Sequence, residues 1–230
     1  MALAAMALLV VSAAAQTPAG LSGTAGGQTL DRVVAAVGNT AITASDVESE
    51  YRLELLLDGK EPDPDPGAGV LNQVRQRMID RILLEDEVQA DSIKVSPDDP
   101  AVAARWNALQ KKFPNMEAFA TALKQAGMSE ESLKSVLAEQ ESILRVIDQR
   151  LRPEAVVEPP EIEAYYHDIF VPRLAKQGNQ PAPPLSEVES RIREILVQQK
   201  IDGLLDAWLK RLRARDDVRV FGSAEAGGVP

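Results

Sequence analysis

The 230-residue sequence contains no cysteine. Disulfides, thiolate-bound zinc, iron–sulfur clusters and thiol nucleophiles are thereby excluded together. It has one histidine, His167, too few for a multi-histidine metal site or for most relays built on imidazole. Aromatic residues make up only 4%, against 45% hydrophobic residues drawn largely from Ala, Leu, Val and Ile. That balance suits helices packed on helices better than a β-sandwich. Positive charge is in deficit, with 25 Lys and Arg against 35 Asp and Glu and a formal net charge of −10. Phosphates are held by clustered cations, so nucleic acid and anionic lipid are poor partners for this chain. Neither G-x-x-x-x-G-K-[ST] nor G-x-G-x-x-G occurs, which leaves no nucleotide cradle.

Long apolar runs are also scarce. Ala2 to Val11 is unbroken, and Ser12-Ala13-Ala14-Ala15 supplies the small residues of a signal-peptidase site, although no Lys or Arg precedes the run. The run falls short of the roughly 20 residues a membrane span needs. Residues 1–15 therefore read as a cleaved signal peptide of an exported protein, with no stable membrane insertion expected. Residues 16–30, rich in Gly, Thr, Ala and Ser, read as a flexible leader.

Order is expected from Asp31. Val33 to Val37 is β-prone, Gly38-Asn39 is a turn dipeptide, and Ala41-Ile42 returns as a second strand. Thr43-Ala44-Ser45-Asp46 has the form of a capping box, opening a helix that ends at Asp58-Gly59. A stiff linker of alternating acids and prolines follows, from Glu61 to Gly67. Apolar residues at helical spacing then mark helices over 70–91, from Pro97 to Phe113, after Asn115, and from Ser129 to Leu151. The stripe of the last is Leu133, Val136, Leu137, Gln140, Ile143, Leu144, Ile147 and Leu151. Pro159-Pro160 opens a further helix, residues 178–184 are a second proline-rich break, and a long helix runs from Leu185 past Leu212. Val218 to Phe221 belongs to an alternating, strand-like tail. The fold class is thus mainly α, with about seven helices and a small sheet formed by the N-terminal hairpin and the C-terminal strand.

Side chains with possible chemistry are few. Glu163 and His167 stand at i and i+4, but no third metal ligand accompanies them, so a surface ion pair is the expected reading. Glu61, Asp63 and Asp65 lack the downstream bidentate acid of a calcium loop. Lys210, Arg211, Arg213 and Arg215 sit where cations complement a helix dipole, as a solvated helix end. No catalytic residue, metal site or cofactor is expected. What remains is apolar: Trp106, Phe113, Met116, Phe119 and Met128 cluster in the middle helices, and Trp208 lies on the last one. Such side chains either fill a helical core or line an adaptable peptide-binding groove.

The order of segments carries a resemblance. Residues 30–47, L-D-R-V-V-A-A-V-G-N-T-A-I-T-A-S-D-V, resemble the opening of the SurA-type periplasmic chaperones, a pattern V-A-x-V-(N/G)-x-x-(I/V)-(I/L)-x-x-S-D-V that enters the first helix. Residues 71–95 and 113–151 resemble the helices that follow there. Val157-Glu158-Pro159-Pro160-Glu161-Ile162-Glu163-Ala164-Tyr165-Tyr166 resembles the V-x-x-x-E-I-x-x-Y-Y segment that ordinarily leads to a parvulin domain, and residues 185–221 resemble the closing helix and strand. Family members commonly insert parvulin prolyl isomerase domains between the last two of these segments, whereas here only Asp168 to Pro184 intervenes. The resemblance implies an ATP-independent holdase for unfolded outer-membrane or exported polypeptides in the periplasm, without isomerase catalysis. It implies a peptide-binding groove, for which Trp106, Phe113, Met116, Phe119, Met128 and Trp208 are the candidates. It also implies a chaperone domain over 31–157, a connecting helix and break over 158–184, a completing helix and strand over 185–222, and a tail over 223–230. A prolyl isomerase and a dedicated adaptor in an envelope complex are the alternative functions.

Overall fold

Strands β1 (Val33–Val37) and β2 (Thr40–Thr43) pair antiparallel, with Val37 opposite Thr40 and Ala35 opposite Ile42. Gly38, at φ 53°, supplies the left-handed backbone of the tight turn between them. A two-stranded hairpin is marginal alone. Here β3 (Val218–Val220) adds antiparallel to the free edge of β1, with Ala35 opposite Val220 and Val37 opposite Val218. The sheet order is β2-β1-β3, so the last strand of the described residues completes the sheet begun by the first two. The computed structural model describes residues 31–60, 65–177 and 182–222. The expected signal peptide and leader (1–30), part of the first proline-rich linker (61–64), part of the second (178–181) and the tail (223–230) lie outside the described residues.

Thr43 caps α1 (Ala44–Asp58): its Oγ1 accepts from the Asp46 N–H at 3.3 Å while the Asp46 carboxylate accepts from the Thr43 N–H at 2.8 Å. Gly59 ends the helix at φ 69°, and a Cβ there would stand 2.7 Å from the Lys112 Cβ, so both backbone and space demand glycine. Lys112 Nζ in turn donates to the Leu57 carbonyl at 2.6 Å, tying the end of α1 to a segment 55 residues further along the chain. The remaining helices are α2 (Ala68–Asp91), α3 (Pro100–Gln110), α4 (Met116–Gln125), α5 (Glu130–Leu151), α6 (Pro159–Tyr165), α7 (Val171–Gln177) and α8 (Leu185–Arg215). A π-helical turn over Tyr166–Phe170 joins α6 to α7 as one rod.

Two local expectations are corrected. α3 begins at Pro100 rather than Pro97, because the Asp99 carboxylate accepts from the Ala101 N–H at 2.9 Å and is itself held by Arg145 of α5 at 3.0 Å. Glu163 and His167 form no ion pair; the π-helical turn widens the spacing at which residues stack, and His167 instead meets the Tyr166 ring edge-on.

Packing divides into three clusters. The largest joins the sheet, α2, the second half of α5 and the second half of α8, around Ile79, Leu83, Val146 and Trp208. A second joins the end of α1 to α3, α4 and the first half of α5, around Phe119, Leu133 and Leu137. A third sets Ile162 of α6 against Ile192 of α8. Helix α5 thus serves two clusters, and its buried face rotates as it passes between them. Leu133 and Leu137 are buried in one, Ile143, Val146 and Leu151 in the other, and Leu144 is left 50% exposed although its spacing places it on the predicted stripe.

Candidate functional site

Between α5 and α8 lies an open groove of about 580 Å³. Leu144, Ile147 and Ile201 give it apolar walls; Glu141, Arg145 and Asp148 of α5 and its C-cap Arg152 form a charged rim, to which α8 adds the uncharged Gln198. Ile201 is buried and Leu144 half exposed, so the groove offers a hydrocarbon surface to solvent. Its charged rim is largely self-satisfied. Arg145 pairs with Asp99 at 3.0 Å and Glu141 at 3.4 Å, and Arg152 pairs with Asp148 and, at 3.5 Å, with Glu194. Pairs of this kind are worth little individually, but they leave few uncompensated charges beside the apolar floor.

The groove exists because α8 is fastened along one side. Buried Glu87 of α2 accepts from Arg150 of α5 and from Arg215 of α8, the latter at 2.9 Å. Arg150 also pairs with Asp91 at 2.7 Å and lies over the Trp208 ring, 5.0 Å from its centroid. The hydrogen bonds that Arg150 donates to Asp91 and Glu87 strengthen its hold on its proton, and the ones to Asp91 keep that carboxyl below its ordinary range. Arg213 pairs with Asp80 at 2.7 Å and donates to Gln76 at 2.8 Å. The basic end of α8, read from sequence as solvated, therefore turns Arg213 and Arg215 back onto the acids of α2.

A second depression, about 800 Å³, lies between β2, α1, α2 and the turn before α5, with Leu53, Met78 and Met128 among its walls. Arg81 bridges it, pairing with Glu50 at 2.6 Å and Glu85 at 3.4 Å. Burial pushes the Glu85 carboxyl above its ordinary value of 4.5 despite Arg81. A raised folded-state value means the carboxylate form costs stability at neutral pH, a cost that fades as the pH falls toward 4.5. Glu85→Gln is expected to raise the melting temperature at neutral pH while Glu50 retains Arg81. The gain should vanish in melts recorded below pH 4.5.

The six candidate side chains divide sharply. Trp106, Phe113, Phe119 and Met128 do come together, in the second cluster, with the Phe119 ring 5.3 Å from both the Trp106 and the Phe113 ring. Trp106 and Phe119 are interior, Phe119 being 1% exposed, while Phe113 and Met128 are half-buried against them. Trp208 is interior in a different cluster. Met116, 58% exposed, is the one of the six with a large free surface. The three interior side chains have no surface to offer a partner in this conformation, because they fill the spaces between helices. Leu144, whose exposure makes the α5–α8 groove apolar, was hidden in sequence by its regular place on the stripe.

Among the described residues no group of three or more potential metal ligands converges. No described helix is long and apolar enough to cross a membrane. No curated protein matches the chain. The family model for the SurA-like N-terminal domain matches residues 1–146, which takes in the hairpin, helices α1 to α4 and most of α5. With that match spanning more than half of the sequence, the chain belongs to the family of SurA-like N-terminal domains.

Proposed function

We propose that the protein is an ATP-independent periplasmic holdase that keeps unfolded exported polypeptides, outer-membrane proteins among them, from aggregating. The observation that carries this reading is the apolar groove between α5 and α8, left open on a member of a chaperone-type family. An extended client segment lays apolar side chains against Leu144 and Ile147, and Met116 and the half-buried Phe113 offer a second, smaller contact. Such contacts supply about 25 cal/mol per Å² of apolar area, and ordering a flexible client consumes much of that. Binding is therefore weak and released without a motor, in keeping with a sequence that carries no nucleotide cradle. The net charge of −10 keeps the loaded complex soluble. We assign no prolyl isomerase activity, since α7 and α8 are separated only by residues 178–184, far short of a domain of about a hundred residues.

The test is light scattering of a denatured outer-membrane protein diluted with and without this chain. Wild type should suppress scattering, and Leu144→Asp should suppress it several-fold less at an unchanged melting temperature, because a half-exposed side chain contributes little to the fold. Scattering unaffected by wild type would refute the reading.

A further inference from the structure

A smaller cavity, about 260 Å³, lies where β1 and α1 meet the first turns of α2, apart from the groove and from the depression crossed by Arg81. Val34, Val47 and Leu71 give it apolar walls. Its polar lining is unusual for so acidic a chain. Arg75 is only 9% exposed, yet its Nε is buried without a hydrogen-bond partner, and no carboxylate pairs with its guanidinium among the described residues. A buried arginine is ordinarily found paired, because an unpartnered guanidinium is costly to remove from water. Arg32 lines the same cavity from an exposed position. The lining also includes Ala68, in the first turn of α2. That 24-residue helix, with Gly67 as its N-cap, has no side-chain cap and no acid in its first turn, so no side chain of that turn offsets the positive end of its dipole. The acid in the lining, Glu48, is exposed and does not form an ion pair with Arg75. Two arginines and an uncapped helix start thus place positive charge beside a small hydrocarbon wall.

We propose that this cavity binds a carboxylate carried next to an aliphatic side chain, as at the C-terminus of an unfolded polypeptide or at an acidic residue beside Leu or Val. Arg75 donates to the carboxylate, Arg32 adds charge at the mouth, and the aliphatic group lies on Val34, Val47 and Leu71. The pocket rests on the client-binding reading above, for which it supplies a polar anchor separate from the α5–α8 groove.

The experiment is titration of the full chain with three short peptides, followed by calorimetry or fluorescence anisotropy. One ends in a free leucine carboxylate, one is its C-terminal amide, and one is amidated with an internal Glu-Leu step. The free acid or the Glu-Leu peptide should bind at least about tenfold tighter than the plain amide, the scale of a charged hydrogen bond, and whichever does so identifies the source of the carboxylate. Arg75→Met should abolish the preference. Equal binding of all three peptides to wild type, or a preference that survives in Arg75→Met, would overturn the assignment. If Arg75→Met does not fold, Arg32→Gln takes its place: a weakened acid preference supports the pocket and an unchanged one overturns it. Aggregation suppression is recorded alongside. A wild type that holds clients but shows no acid preference retires this pocket alone, whereas loss of both retires the holdase reading.

Discussion

Trp208→Ala is expected to cost about 3–5 kcal/mol, the range for deleting a buried aromatic side chain. That is a large share of the roughly 5–15 kcal/mol by which native domains are stable. Trp208 is 7% exposed and packs within the cluster that joins the sheet, α2, α5 and α8. It also carries Arg150 on its ring, and Arg150 in turn compensates buried Glu87. Removing the indole leaves a cavity and loosens a charged network that straddles three helices. Because β3 follows α8 directly, the loss extends to the edge of β1. A urea titration should show a lower midpoint, and thermal melts should fall by about 6–20 °C at roughly 2–4 °C per kcal/mol for a domain of this size. A change below about 1 kcal/mol, the level of ordinary surface substitutions, would mean that α8 is not fastened as described.

Phe119→Ala should be comparably damaging, at about 3–5 kcal/mol, with the edge-to-face partner contributing part of it. The Phe119 ring meets Trp106 at 87° and a centroid distance of 5.3 Å, and it is all but sealed from solvent. Its effect separates core from binding surface. Below its own melting temperature the variant should suppress client aggregation about as well as wild type, while its urea midpoint drops. Loss of suppression by a variant that remains folded and keeps its stability would instead place the client against Phe119.

That contrast marks where sequence stops being informative. The hairpin was legible because Gly38-Asn39 is a turn dipeptide between β-prone runs, and α1 because a hydroxyl and an acid at capping-box spacing specify a start. The return of β3 onto β1 followed from the weakness of a lone hairpin together with a strand-like tail. The candidate site was less legible. Periodicity says that a residue lies on an apolar stripe, not whether another helix covers it. Leu137 and Leu144 both occupy positions on the α5 stripe, and only the rotation of that helix's buried face between two clusters leaves Leu144 open while Leu137 is enclosed. The charges behaved likewise. Arg213 and Arg215 look like a helix end meeting water until Asp80 and Glu87 of α2, more than a hundred residues away in sequence, face them.

Where a client sits can be read directly by placing a photo-activatable cross-linker at one position at a time and presenting a denatured outer-membrane protein. Position 144, in the α5–α8 groove, should label the client strongly, and position 116, on the exposed start of α4, should label it less. Strong labelling from 116 with none from 144 would contradict the assignment of that groove as the principal seat of unfolded chains.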